Sequence, residues 1–354
     1  MNQIQIITDA GSDIVDCSRT DLTVLPMTIR FGDEEYLDGV NLTHRQFYEK
    51  MIETQALPTT SQPSPYAFEA AIRKIHKQGD IALIITISSK LSGTWQSANI
   101  AAAETGGEVY IVDSLNVAVG EKAIVEYALR MKDAGTDIHT IVETLNHEKE
   151  NLRVIALLDT LEYLQKGGRI SKTVAIAGSL LSIKPVVSVV DGEVALLGKA
   201  RGSRQGNNFL IQQIQKDGID FSRPFFLGYT GLSDALLQKY ISDSAEIWKE
   251  HVDHLPIGTI GGAIGTHVGP GAIAVAFFYR KIIFELKGDP PPEKAKAPQP
   301  FLDRLRCFLS DNRIGSILLD MLQSLIDDRA DMSVRQGIKD GFAFSSAFNQ
   351  FILF

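Results

Sequence analysis

Four short apolar runs rich in β-branched residues punctuate the first third of the chain: IQIIT (4–8), LTVLPMTIRF (22–31), IALIITI (81–87) and EVYIVD (108–113). Between them lie segments with helical patterning. This alternation narrows the fold more than any other feature, because interleaved strands and helices pack as a largely parallel sheet covered by helices. The helical segments carry their own start signals. LTHRQFYEKM (42–51) opens on a capping box, Thr43 with Gln46 three residues later. SPYAFEAAIRKIHKQG (64–79) places Ser64 as N-cap and Pro65 at the first helical position, with Phe68, Ile72 and Ile75 on one face. TWQSANIAAAE (94–104) and GEKAIVEYALRMKDAG (120–135) are two further helices.

A second block begins at LRVIALLD (152–159), followed by a helix, LEYLQKGG, that stops at glycines. KPVVSVVDGEVALLGKARG (184–202) reads as a hairpin, because Asp191-Gly192 is a tight-turn dipeptide between alternating runs. RPFFLGYTG (223–231) and LPIGTIGGAIGTHVGPGAIAVAFFYRK (255–281) add strands, which makes this half mixed α/β. Composition then shifts. GDPPPEKAKAPQP (288–300) is a Pro- and Lys-rich linker. Beyond it, Leu302, Leu305, Leu309, Ile314, Leu318, Met321 and Leu325 follow helical spacing. The expected organisation is a domain over 1–150, a second over 151–287, the linker 288–300 and an amphipathic helical tail over 301–354.

The 354 residues carry a net charge of −8, which argues against a nucleic-acid protein because phosphate contacts need a basic surface. Cys17 and Cys307 stand far apart in no metal-like spacing, as free thiols in a reducing compartment would. The start, MNQIQIITDAG, has no signal-peptide pattern, and no run of about 18 apolar residues follows. The expectation is a cytoplasmic protein without metal or cofactor.

The candidate site lies where strands run into small hydroxyls and glycines. In PTTSQPSP (58–65), Thr60 and Ser61 precede a helix start. In SSKLSGTWQSA (88–98), Ser92, Gly93 and Thr94 repeat that context. N-capping and turn chemistry explain each alone. Together they suggest two helix termini converging on one anion, and the lack of Lys or Arg in PTTSQPSP suits a small carboxylate. ITDAGSD (7–13), with Thr8, Asp9 and Ser12, lies in the first strand-to-helix loop. His267 stands in a glycine-rich loop, GTHVGPGA (265–272), where backbone can approach a ligand closely. Lys166 and Arg169 flank two glycines, and Lys199, Arg201 and Arg204 cluster nearby, as a solvated basic edge or a phosphate-reading patch. No G-x-S-x-G, G-x-x-x-x-G-K-[ST] or H-E-x-x-H motif is present.

Seven stretches in this order closely resemble the DegV family of bacterial fatty-acid-binding proteins. They are ITDAGSD, PTTSQPSP, ISSKLSGTWQSA, VDSLNVAVG, LEYLQKGGRIS, LLSIKPVVSVVDGEVALLGKARG and GTHVGPGAIAVAF, spanning about residues 3 to 281. The resemblance implies a two-domain α/β architecture: an N-terminal parallel-sheet α/β/α domain and a C-terminal mixed α/β domain, with one long-chain fatty acid between them. It implies that hydroxyls of the T-S-Q-P-S and S-x-x-x-S-G motifs, here Thr60 with Ser61 and Ser92 with Gly93, hold the carboxylate, with His267 beside it. The basic residues of the G-R-I-S and K-x-R-G motifs fall on Arg169 and Arg201, as partner or phosphate contacts. It implies no catalysis by the chain itself: a fatty-acid kinase phosphorylates the presented carboxylate for phospholipid synthesis.

Three departures stand out. Ala10 replaces the serine of the family's T-D-S. Tyr229 stands where a histidine is frequent. The segment 288–354 is an addition, and its apolar stripe needs a partner: the body of the protein, a second copy or a transient membrane contact. The alternatives are a serine hydrolase or acyltransferase using Ser92, His267 and Asp9, or an interaction protein acting through the tail.

Overall fold

The computed structural model describes residues 3–15, 18–54, 57–171 and 183–279. Cys17, Cys307, the linker and the tail lie outside them. The chain opens with β1 (Ile4–Asp9), β2 (Leu22–Leu25), β3 (Thr28–Phe31) and β4 (Glu34–Leu37). Then come α1 (His44–Thr54), β5 (Thr59–Ser61), α2 (Pro65–His76), β6 (Ile81–Thr86), α3 (Thr94–Thr105), β7 (Val109–Asp113), α4 (Val119–Asp133) and α5 (Ile138–Glu148).

β2, β1, β6 and β7 form an all-parallel sheet in that order. The central strand β6 reads as an almost unbroken apolar run because both its faces are covered. Successive residues serve opposite faces: Ile7 and Ile84 meet Phe68, Ile72 and Ile75 of α2. Ile6, Leu83 and Ile85 meet Ile124, Val125 and Ala128 of α4 and Ile141 and Leu145 of α5. The start signals act as their chemistry dictates. The Ala67 amide donates to Ser64 Oγ at 3.3 Å. The Thr43 and Gln46 amides donate to each other's side chains at 3.0 and 3.3 Å.

The apolar run 22–31 is one strand in the sequence reading and two in the structure. Pro26 has no amide hydrogen to continue a ladder, so the chain leaves the parallel sheet there. Residues Thr28–Phe31 join an antiparallel sheet ordered β4-β3-β5, packed on Phe47, Tyr48 and Met51 of α1.

The remaining elements are β8 (Leu152–Leu157), α6 (Glu162–Lys166), β9 (Ile183–Val190), β10 (Glu193–Arg201), α7 (Gly202–Asp217), β11 (Phe225–Tyr229), α8 (Ala235–Asp243), α9 (Ala245–Trp248), β12 (Ile257–Thr259), α10 (Gly262–Val268) and β13 (Ile273–Phe278). Their sheet is mixed, in the order β10-β9-β8-β13-β11-β12. Asp191 and Gly192 both take positive φ, 50° and 83°, as a two-residue hairpin turn requires. The buried helix α4 serves both sheets, since its apolar face also meets Leu152 and Phe278. Both sheets therefore belong to one compact unit.

Candidate ligand-binding site

In the parallel sheet the chain order reverses between β1 and β6, and ligands of open α/β sheets bind beyond the carboxyl ends of such strands. Two cavities lie there. The first, of about 70 Å³, is walled on one side by Met27, Ile87, Leu91 and Val117 and on the other by Leu164, Val194, Ala263, Ile264 and Val268. Its polar atoms come from Thr60, Ser92, Arg169 and His267. An apolar slot with four polar side chains is chemistry for one apolar ligand with an anionic end.

Thr60 Oγ1 and His267 Nε2 are hydrogen-bonded at 2.9 Å although 207 residues separate them in sequence. Their arrival has local causes. Thr60 is held by pairing of β5 with β3, where it faces Ile29. It therefore sits on a strand and not at a helix terminus, four residues before the cap Ser64, which corrects the two-terminus expectation. His267 occupies the last turn of α10, where a glycine loop is expected from the sequence. Glycine weakens a helix interior by about 1 kcal/mol, but here it permits close packing. A Cβ on Gly262 would come within 2.4 Å of Ile29, and one on Gly265 within 2.5 Å of the Tyr48 hydroxyl. Two distant carboxylates cap the helix. Gly261 N donates to Asp13 Oδ1 at 2.7 Å, and Gly262 N and Ala263 N donate to Asp38 at 3.2 and 2.7 Å.

Ser92 closes the loop after β6, its Oγ 2.9 Å from Thr94 Oγ1. Gly93, the N-cap of α3, has no side chain to offer an acceptor to the first amides of that helix. Gln62 lies against Gly93, within 2.6 Å of where its Cβ would stand, and donates to Ser97 Oγ at 3.2 Å. This contact brings the Thr60 segment onto the start of α3. Ser61 is exposed and does not line the cavity.

The two candidate arginines part company. Arg169 turns into the cavity, donating from Nε to Leu91 O at 3.1 Å and from Nη1 to Gly167 O at 2.6 Å. Arg201 is exposed at the end of β10 and touches neither cavity. Burial pushes His267 down to about 4, and the Arg169 charge adds to that, so the imidazole is neutral at pH 7. Its Nδ1 is buried with no hydrogen-bond partner among the described residues.

A serine–histidine–aspartate relay does not assemble. His267 bonds Thr60 and not Ser92. Asp9 accepts from Gly11 N and Ile87 N at 2.9 and 3.0 Å. Burial holds Asp9 up at about 6 and the neighbouring Glu121, bonded by Thr8 at 3.0 Å, well above the carboxylate range. Neither Ala10 nor Tyr229 lines this cavity, and the third departure, 288–354, lies outside the described residues. Ala10 lines the second cavity, and the half-buried Tyr229 packs with the core of the mixed sheet. Sequence reasoning missed Leu91, whose carbonyl holds Arg169, and Ser88, whose Oγ donates to Gly192 O at 2.7 Å and ties this loop to the hairpin turn. Among the described residues no helix is long and apolar enough to cross a membrane.

Comparison with known proteins places these features in a family. The family model described as "Uncharacterised protein, DegV family" matches residues 3–280. A DegV domain-containing protein of Caldanaerobacter subterraneus is 34% identical over 281 residues, covering 78% of this chain and 99% of the relative. Among solved structures, a fatty-acid-binding DegV family protein from Thermus thermophilus superposes with a TM-score of 0.71 at 27% identity, over 78% of this chain and all of that one. One from Streptococcus agalactiae, also described as fatty acid binding, gives 0.70 at 26%, over 79% of this chain and all of that one. By family match, sequence identity and fold, this chain belongs to the DegV family.

Proposed function

We propose that the chain binds one long-chain fatty acid, with the carboxylate at Thr60, Ser92 and His267 and the acyl chain between the walls of the apolar cavity. The observation that carries this reading is the Thr60–His267 pair set, with Ser92 and Arg169, in a slot whose other walls are apolar. The carboxylate would take donors from the hydroxyls and the α3 amides, with Arg169 as the nearby charge. The acyl chain would contribute roughly 0.8 kcal/mol per buried CH₂. The cavity's volume of about 70 Å³ is below that of ordinary ligand pockets, about 300–1,000 Å³. Entry therefore needs the two walls to part, and the Ser88–Gly192 hydrogen bond joins them at one edge. Fatty-acid binding by the Thermus thermophilus and Streptococcus agalactiae relatives supports the reading.

In the same proposal the site presents its ligand and does not turn it over. In this reading the ligand's carboxylate is phosphorylated by a fatty-acid kinase in the cytoplasm and the acyl phosphate enters phospholipid synthesis. The exposed Arg201 contacts the kinase or its phosphates, and membrane contact is transient. The test is binding of a labelled fatty acid by Thr60→Val with Ser92→Ala, and kinase-dependent phosphorylation by Arg201→Ala. The double variant should lose binding; Arg201→Ala should bind normally and fail in phosphoryl transfer. A double variant that binds like the parent would overturn the carboxylate assignment.

A further inference from the structure

The second cavity, about 240 Å³, opens beside the carboxyl end of β1 and shares no lining residue with the first. Its polar side chains are Asp13, Asp38 and His44; Ile14, Val24 and Val40 provide aliphatic wall. The demands of these groups are unequal. Asp38 has both oxygens occupied by the Gly262 and Ala263 amides. His44 Nδ1 is held by Thr259 Oγ1 at 2.8 Å. Asp13 is only 4% exposed, and its Oδ1 accepts from Gly261. Its Oδ2 is buried with no hydrogen-bond partner among the described residues. An unanswered buried carboxyl oxygen is costly and calls for a donor. No group of three His, Cys, Asp or Glu among the described residues is arranged to hold a metal ion. A water would answer the oxygen alone, but the cavity has room for several water volumes of about 30 Å³ and an aliphatic wall that water does not use.

The geometry points to a second ligand site, in which a small turn of the Asp13 carboxyl brings the buried Oδ2 onto the head of a small aliphatic primary ammonium compound and Ile14, Val24 and Val40 cover its alkyl part. An ammonium supplies the missing donor with a charge of the right sign and makes the hydrogen bond charge-assisted. The mouth is at Gly39 and Val40, both exposed, so a ligand of this size has a way in. Burial drives the Asp13 carboxyl toward its protonated form, and Asp38, Lys122 and Asp9 act on it from neighbouring elements while His44 faces the same cavity. The cation therefore displaces a proton, and its binding strengthens as pH rises. The occupied carboxylate would sit directly on the amide that starts the helix bearing His267.

The test is a titration of the isotope-labelled full chain with n-butylammonium chloride at pH 8 and constant ionic strength, read on the backbone amides of Gly39, Gly261, Gly262 and Ala263. Saturable local shifts are expected with butylammonium, at least tenfold weaker binding with n-butanol, and none with butyrate. Asp13→Asn keeps the acceptor for Gly261 and suits the residue's left-handed backbone, φ 53°, because Asn tolerates that region. It should weaken butylammonium at least tenfold with the rest of the spectrum unchanged. Val40→Trp, at an exposed position, should block the mouth and abolish the shifts without touching a buried group. Nα-acetyl-lysine methylamide separates two sources of the same chemistry: shifts at the same amides assign the pocket to a lysyl side chain of a partner, their absence to a free amine. No saturable shift in the parent, equal binding of butanol, or an Asp13→Asn variant that titrates like the parent overturns the proposal.

Discussion

Replacing Gly167 by alanine tests whether the position of one imidazole governs ligand binding. Gly167 ends α6 with an ordinary helical backbone, φ −74°, so alanine itself costs no backbone strain there. What it meets is His267. The new Cβ would stand 2.2 Å from Nδ1 and 3.0 Å from Cε1, whereas ordinary contact begins near 3.4 Å. The imidazole has to retreat by about an ångström, and the 2.9 Å bond to Thr60 does not survive such a shift. Overpacking of this kind costs roughly 1–3 kcal/mol of stability. If the pair orients the ligand carboxylate, loss of one hydrogen bond to a charged group costs about 1.5–3 kcal/mol, a ten- to hundredfold loss of fatty-acid affinity. Gly168→Ala is the matched control in the same turn. Gly168 has φ 73° and nothing within 4 Å of its Cβ position, so alanine strains the backbone by about 1 kcal/mol and leaves His267 alone. Calorimetric titration with a fatty acid, beside urea unfolding, separates the two. Gly167→Ala should lose affinity and Gly168→Ala should lose stability only. Parent-like affinity in Gly167→Ala would refute the role given to His267.

Three further outcomes follow from the same geometry. His267 falls from an ordinary 6.5 to about 4 on folding, so the unfolded chain takes the proton first. Its contribution is intact above pH 6.5 and is lost as pH falls toward 4, by up to about 3 kcal/mol. Asp9, raised from 3.8 to about 6, acts in the opposite sense, stabilising at low pH and losing that contribution as pH rises through 6. His267→Gln should therefore lose less stability than the parent between pH 7 and pH 5 in urea unfolding; parallel losses would contradict the assignment. Arg169→Ala should weaken fatty-acid binding, because Arg169 lines the cavity, and Arg201→Ala should not; equal effects would refute the separation of the two. Ser88→Ala removes the 2.7 Å bond to Gly192 O and should speed fatty-acid association in stopped-flow measurements, with unchanged rates arguing that the walls part elsewhere.

Much of the fold was legible where local chemistry decides structure. β1 and β6 are short apolar runs rich in β-branched residues, Ser64-Pro65 starts a helix by capping and fixed φ, and Asp191-Gly192 favours a tight hairpin turn. Legibility failed where distant groups decide. Nothing near residue 267 announces a helix, because α10 draws its caps from Asp13 and Asp38 and its packing from Ile29, Phe47 and Tyr48. The strand at Thr59–Ser61 has no apolar alternation and exists through its pairing with β3. The separation of Arg169 from Arg201 is likewise tertiary, since both look alike as basic residues beside glycines. The helix α5 does carry a local signal, since Asp137 caps it by accepting a 3.1 Å bond from the Thr140 amide.

The most direct test of the central claim is denaturing mass spectrometry of an organic extract of the purified protein. The account predicts one long-chain fatty acid per chain, with Thr60→Val plus Ser92→Ala bringing down little or none. An extract without fatty acid, together with no uptake after delipidation and re-addition, would contradict it.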